Sequence, residues 1–396
     1  MLAAFLFMRV VWINDRADFV GGAERYVADA ARLTQDRGHG AFLLYDALAW
    51  MNPAYTSGFD GAFPMVDVAR QIRELKADVV FVHQLASPDR VRAIVESGVP
   101  AIRYFHDHRL FCLREHKYTT LGHETCTRPI GAHCYPCLGF VNKDRSRGGL
   151  RLRTVGELRR EHRDHDGFAG FMVGSAYMRD HVAAHGFDPG RITVNPPFVP
   201  APPPLEGEAP TRKPDRLLFV GALLRGKGLD VLLRAMPSIP AHVRLRVIGT
   251  GAQEQVYRRL VSELALADRV YFAGQASREF VHRAYAESTC VVVPSRTPET
   301  FGLTGPEALL HGTPAVASAV GGISEWLKDG ETGFAFASGD AADLARAVNA
   351  VLDAPDRARE VALRGKRYVE THFDAGTHAD QLIAAFDRVA GGRGGR

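Results

Sequence analysis

The sequence predicts an α/β protein made of two doubly wound, parallel-sheet domains facing a cleft. Three observations lead there. At 396 residues the chain is roughly twice the size at which one hydrophobic core stops being the rule. Short apolar runs alternate with helix-period segments, the rhythm of strand–helix–strand units. That rhythm breaks once, in a proline-rich stretch, and then restarts.

In the first half the runs 9–14, 41–45, 79–83 and 101–105 alternate with helical patterns at 23–37 and 88–96. In the second half the apolar runs are 217–220, 244–249, 270–273, 291–294 and 314–317, each followed by a helical pattern. Residues 201–214 hold five prolines and no period of two or 3.6, which marks a linker. The predicted boundaries are a first domain at 1–200 with a cysteine-rich insertion at about 107–140, and a second at 215–372. A C-terminal helix and tail at 373–396 is expected to cross back to the first domain. Ligands of such sheets bind outside the carboxyl ends of the strands.

Hydrophobic residues at 46% and charged residues at 24% describe an ordinary folded enzyme. A net charge of +4 is small for this length and calls for no nucleic-acid partner. The apolar start, 2–11, is too short to cross a bilayer and no basic segment precedes it, so a cytoplasmic location is expected, with Met8 as an alternative start. Residues 145–163 mix seven arginines with Leu150, Leu152, Val155 and Leu158. Such a segment suits peripheral contact with anionic lipid at the inner membrane face.

Cys290 lies in an apolar run and reads as core. Cys112, Cys126, Cys134 and Cys137 are separated by thirteen, seven and two residues, and the last pair has the two-residue gap that lets both sulfurs reach one tetrahedral ion. A structural zinc is expected. An iron–sulfur cluster, two disulfides and four unligated thiols stay open, and His116, His123 or His133 is near enough in sequence to replace one sulfur.

The most informative stretch is Pro294-Ser295-Arg296-Thr297-Pro298-Glu299-Thr300-Phe301-Gly302-Leu303-Thr304-Gly305-Pro306-Glu307-Ala308. It follows a predicted strand and opens a helix. Gly302 and Gly305 let backbone amides approach a ligand, Pro306 suits the first helical turn, and the helix start favours negative charge. Glu299 and Glu307 each offer a carboxylate able to accept two hydroxyl hydrogen bonds, as a sugar or ribose diol requires.

This stretch resembles the signature of retaining glycosyltransferases of family four, whose fold is GT-B, two Rossmann-like domains. The resemblance extends over nearly the whole chain. Phe219-Val220-Gly221-Ala222-Leu223-Leu224-Arg225-Gly226-Lys227-Gly228 is similar to the family element that grips the donor diphosphate. Lys227 and Gly228 match, Ala222 stands where the family has arginine, and Arg225 is the candidate to supply that charge. Gly249-Thr250-Gly251 and Gly274 resemble loops of the base pocket, and Gly321-Gly322 with Glu325 also fits. Gly21-Gly22 resembles the loop facing the donor phosphates, and His106-Asp107 matches the active-site histidine motif, with His108 less clearly part of it.

The resemblance implies transfer of a hexosyl group, with retention, from a nucleotide diphosphate sugar bound by the second domain to a sugar, lipid-linked or small-molecule acceptor bound by the first. It assigns His106, Glu299 and Lys227 to catalysis, and Gly21, Gly22, Arg225, Lys227, Gly249, Gly251, Glu299, Phe301, Gly302, Leu303 and Glu307 to the donor, with no catalytic metal. Rival readings are a GT-B phosphorylase or nucleotide-sugar epimerase, and a zinc-containing nucleic-acid-binding protein.

Overall fold

Runs of Val, Ile and Leu buried on both faces build parallel strands. In the computed structural model the first nine are β1 (Arg9–Ile13), β2 (Gly40–Asp46), β3 (Gly61–Met65), β4 (Val79–Val82), β5 (Ala101–Phe105), β6 (Val141–Lys143), β7 (Leu150–Leu152), β8 (Gly170–Val173) and β9 (Ile192–Val194). The rest are β10 (Arg216–Val220), β11 (Arg244–Ile248), β12 (Val270–Gly274), β13 (Cys290–Val293), β14 (Ala315–Ser318) and β15 (Phe334–Phe336). The structure describes residues 7–119, 124–137, 139–143, 150–205, 207 and 210–391, with 141–143 and 150–151 known by backbone alone.

One sheet is ordered β3-β2-β1-β4-β5-β8-β9 and the other β12-β11-β10-β13-β14-β15. Every described pairing within them is parallel. The remaining two strands, β6 and β7, form an antiparallel ribbon. Both large sheets reverse direction of winding beside their first strand, between β1 and β4 and between β10 and β13, and such switch points are where doubly wound sheets bind ligands.

The helices are α1 (Gly22–Gln35), α2 (Pro53–Thr56), α3 (Val68–Glu74), α4 (Pro88–Glu96), α5 (Val155–Asp164), α6 (Ala176–Ala183), α7 (Leu229–Ala235), α8 (Glu254–Glu263), α9 (Arg278–Glu287), α10 (Thr304–Leu310), α11 (Ala341–Asp353), α12 (Pro355–His372) and α13 (Ala375–Ala390). Their starts are chemically marked. Ser87 caps α4 ahead of Pro88, Thr154 and Glu157 close a capping box on α5, and Asp340 accepts two amides of α11. Among the described residues no helix is long and apolar enough to cross a membrane.

The chain divides into two compact units: Met1–Glu115 with Pro129–Pro197 and Ala375–Arg396, and Phe198–Asp374 with His116–Arg128. Helix α13 is held in the first by His378, whose Nδ1 donates to Pro196 O at 2.8 Å. Its Nε2 then accepts from Tyr26 Oη at 3.1 Å. The short segment 116–128 is held in the second, where Thr125 Oγ1 donates to Arg296 O at 2.7 Å. Lys117, 2% exposed, donates to Arg128 O.

In the second unit alternate residues of β10 feed two cores, Leu217 and Phe219 on one face and Leu218 on the other. The second core is centred on Trp326, wholly buried, whose Nε1 donates to Phe301 O at 2.9 Å. A Cβ on Gly305 would lie 2.0 Å from the Trp326 ring. Gly305→Ala is therefore expected to destabilise the second unit by about 1–3 kcal/mol or more, read as a lowered midpoint in denaturant or thermal unfolding. An unchanged midpoint would show that the Trp326 packing is not tight.

Candidate functional site

In the second unit the loops that leave β10 and β13 at its switch point are interlocked. The amides of Arg296 and Thr297 both donate to Gly226 O, at 2.8 and 3.0 Å. Gly228 has φ +70°, and a Cβ there would sit 1.8 Å from Pro294 O, so glycine is required. This fit brings Lys227 Nζ to 2.8 and 3.0 Å from the two oxygens of Glu299. Ser295 Oγ donates to the same carboxylate at 2.6 Å. Glu299 is also fixed through its backbone, since its carbonyl accepts the Gly322 amide at 2.6 Å, beside Gly321. The Glu299 side chain is 13% exposed and that of Lys227 38%, so the pair faces outward from a fixed base.

Glu307, on α10, accepts from Tyr285 Oη at 2.8 Å; Tyr285 is fully buried, and burial with the neighbouring Glu307 charge pushes its phenol well above the usual range. Phe301 is buried, Gly302 turns the chain at φ +83°, and Leu303 is the N-cap of α10, which no side chain of that position caps. Gly249 and Gly251 have a packing role: a Cβ on them would lie 2.1 Å from Gly221 O and 2.6 Å from Leu223 O. Arg225 opens the same short turn as Lys227. It lines a pocket of about 330 Å³ with Asp230, Arg234, Tyr257 and Arg296, a lining that does not include Lys227 or Glu299.

In the first unit Gly21 is the extended N-cap and Gly22 the first residue of α1. His106, just past β5, lies 2.8 Å through Nε2 from Nδ1 of His83, just past β4. Tyr104 stacks on His106 with centroids 4.4 Å apart, and Trp12 stacks on His83 at 5.2 Å. Burial holds the His106 pKa down to about 3, against the pull of Asp107, and burial with His106 beside it holds His83 well below its ordinary value. Both rings are neutral near pH 7, so one donates and the other accepts. His108 turns away from this pair, buried edge-on to His181 at 5.0 Å.

The expected zinc site is not formed. Among the described residues no three His, Cys, Asp or Glu are grouped to hold a metal ion, and no cysteine is in a disulfide. Cys126 belongs to the segment that clusters with the second unit and Cys112, Cys134 and Cys137 to the first, where those three are not brought together. Of the histidines offered as substitutes, His123 lies outside the described residues. The lipid-facing stripe is also altered. Val155 and Leu158 are buried, and Arg153 turns inward to Glu161 at 2.7 Å. Arg145 and Arg147 lie outside the described residues, as do the side chains of Leu150 and Arg151.

Residues 20–201 match the family model described as Glycosyltransferase Family 4, and residues 206–368 match the one described as Glycosyl transferases group 1. The chain belongs to these glycosyltransferases. HepE of Anabaena, solved with UDP and glucose, superposes with a TM-score of 0.71 at 17% identity, covering 96% of this chain and 100% of its own. Sucrose-phosphate synthase of Thermosynechococcus elongatus gives 0.69 at 18%, covering 97% and 100%. Both likenesses are of fold, GT-B. The D-inositol 3-phosphate glycosyltransferase of Thermomonospora curvata is 33% identical over 219 residues, 49% of this chain and 51% of its own length. That of Mycolicibacterium smegmatis is 37% identical over 178 residues, 43% and 39%. The chain thus spans about half the length, or less, of these curated relatives.

Sequence reasoning about this glycosyltransferase missed His83, Arg103 and Tyr285. His83 carries the same signal as His106, a histidine directly after an apolar run. Arg103 breaks the run Ala-Ile-Arg-Tyr-Phe. Tyr285, periodic within its helix, carried no such signal.

The neutral histidines make stability depend on pH. Burial holds His165 at about 3 and His311 at about 4, whereas the unfolded chain titrates at about 6.5. The unfolded state therefore takes up protons first, so stability is complete above about 6.5 and is lost as pH falls towards 4. The slope approaches about 1.4 kcal/mol per pH unit for the deeply buried His165. Unfolding midpoints measured from pH 7.5 to 4.5 should fall steadily, and a flat profile would mean these rings are protonated in the fold.

Proposed function

We propose that this glycosyltransferase moves a hexosyl group, with retention of anomeric configuration, from a nucleotide diphosphate sugar to a hydroxyl of an acceptor. The observation that carries this reading is the Lys227–Glu299–Ser295 cluster at the switch point of the second sheet, with the uncapped start of α10 beyond it. A departing diphosphate accumulates negative charge. An ammonium held by its backbone neighbours and amides at a helix start stabilise that charge without reorganising. HepE binds UDP and glucose in the solved complex, which supports a donor of this class.

The roles divide by chemistry. Lys227 stabilises the leaving diphosphate, and Glu299 orients that lysine and accepts sugar hydroxyls. Glu307, set by Tyr285, accepts the diol of the ribose. Gly302 and Leu303 present backbone amides. Gly21 and Gly22 leave the start of α1 open to a phosphate. His106, neutral at working pH, hydrogen-bonds the transferred sugar and takes no proton. No second carboxylate is assigned as a nucleophile, so the acceptor attacks from the leaving-group face and its proton passes to the departing phosphate. Arg225 is left out of the donor set, and Ala222 leaves Lys227 as the side-chain cation there.

Replacing Lys227 by Ala is expected to lower transfer by about 100- to 1,000-fold. Glu307→Gln keeps an acceptor for Tyr285 and is expected to weaken donor binding by about tenfold or more with the fold intact. The measurement is transfer from UDP- or GDP-sugars, with the product anomer assigned by NMR and the unfolding midpoint recorded for each variant. Near-full turnover by Lys227→Ala, or an inverted product, would sink the corresponding part of the reading.

A further inference from the structure

Beside His106 the carboxyl ends of β4 and β5 and the loops that follow them enclose a pocket of about 210 Å³. It holds several waters' worth of space, below the range of drug-sized sites. Three arginines line it: Arg103, Arg109 and Arg153. Two of them already have anions. Arg109 Nε is 2.8 Å from Asp107 Oδ2, and Arg153 Nη2 is 2.7 Å from Glu161 Oε2 with Glu115 at 3.8 Å from Nη1.

Arg103 differs. It sits inside β5, 6% exposed, where its neighbours in sequence are Ile102 and Tyr104. Its Nη2 donates to Leu85 O at 3.2 Å, and its Nη1 faces His165 Nε2 at 3.3 Å. That imidazole nitrogen is the acceptor, because Nδ1 of the same ring donates to Glu161 O at 2.7 Å. The Nε of Arg103 has no partner. Burial pulls this guanidinium down to about 10, so it remains a cation at neutral pH. The Asp107, Asp15 and Glu161 carboxylates act on it through space, but both groups it hydrogen-bonds are neutral, so it loses hydration without the full return of a contact ion pair. The same position filled by Val or Leu would pack the strand at no such cost. The fork of donors is matched to a carboxylate or phosphate, and His106 lines the same pocket.

We propose that this pocket is the acceptor subsite and that it takes the anionic group, phosphate or carboxylate, of a small polyhydroxylated acceptor. Arg103 is the buried binding cation, Arg109 the cation at the mouth, and Glu115 and Glu161 accept acceptor hydroxyls. The inference rests on the transferase reading for the word acceptor, but not for the anion site itself.

The test titrates the full chain by calorimetry with inorganic phosphate, with glucose, glucose 6-phosphate and glucuronate, and with myo-inositol and its 1-phosphate, each with and without UDP. The anionic members should bind at least about tenfold more tightly than their neutral parents. Comparing glucose 6-phosphate with glucuronate decides between phosphate and carboxylate. UDP should not displace them, and Arg103→Gln should abolish the preference while the UDP affinity stays within about twofold. If Arg103→Gln does not fold, Arg109→Gln, at a 40% exposed side chain, should reduce the preference about threefold or more. Equal affinity for charged and neutral members, failure of every anionic probe to bind, displacement by UDP, or an undiminished preference in the folded variant would each overturn the proposal. Anion binding with neither UDP nor, in a parallel titration, GDP bound would leave the pocket standing and refute the donor reading instead.

Discussion

Two loops that touch through glycine govern the second unit. Because Gly226 and Gly228 have no side chains, the turn after β10 closes on the loop after β13 until backbone meets backbone, and two amides converge on one carbonyl. Everything chemically interesting there follows from that approach. Lys227 has Glu299 opposite it because the turn cannot swing away, and Glu299 is itself tied to Ser295 and to the amide of Gly322. Trp326 then holds the far end of the same loop by the Phe301 carbonyl. A loosened glycine contact would release the lysine, the carboxylate and the start of α10 together.

The first unit solves a comparable problem with aromatic rings. His106 is packed among rings. It is wedged between Tyr104 and His83, and His83 in turn lies flat on Trp12. Stacking and desolvation keep both imidazoles neutral, which turns a residue type known for titrating into a fixed hydrogen-bonding group. Nearby, at Arg103, the opposite choice is made, and a permanent charge is kept where the packing would favour none.

Much of this was legible in the sequence. The β–α alternation and the linker gave both sheets, because parallel strands buried on two faces read as unbroken apolar runs. Of the strands that escaped notice, β8 is a buried apolar run like those found, whereas three others had physical reasons to be missed. β3 carries Pro64 at a sheet edge and exposes Phe63 and Pro64, whereas β9 and β15 are only three residues long. Glu299 and Lys227 were found as separate motif positions; their pairing depends on a tertiary approach that spacing cannot express. The backbone approaches that require Gly249 and Gly251 to lack a side chain, and the pocket that Arg225 lines with Asp230 and Arg296, are tertiary facts that the motif spacing could not express. The cysteine spacing suggested one cluster, but spacing along the chain says nothing about which unit a loop joins.

That allocation of chain has a consequence for how the molecule is made. The polypeptide passes from one unit to the other after residues 115, 128, 197 and 374, so neither unit is a continuous stretch of sequence. During synthesis the first sheet is complete long before α13 emerges, and until then the Pro196 carbonyl and Tyr26 hydroxyl lack His378. The second unit begins with a segment, 116–128, that is translated ahead of all its own strands and must wait for Arg296. Domain-by-domain folding from the amino end is therefore interrupted twice, by the segment 116–128 and by α13. Helix α13, the last-translated part of the first unit, can dock only after every strand of the second unit has been made.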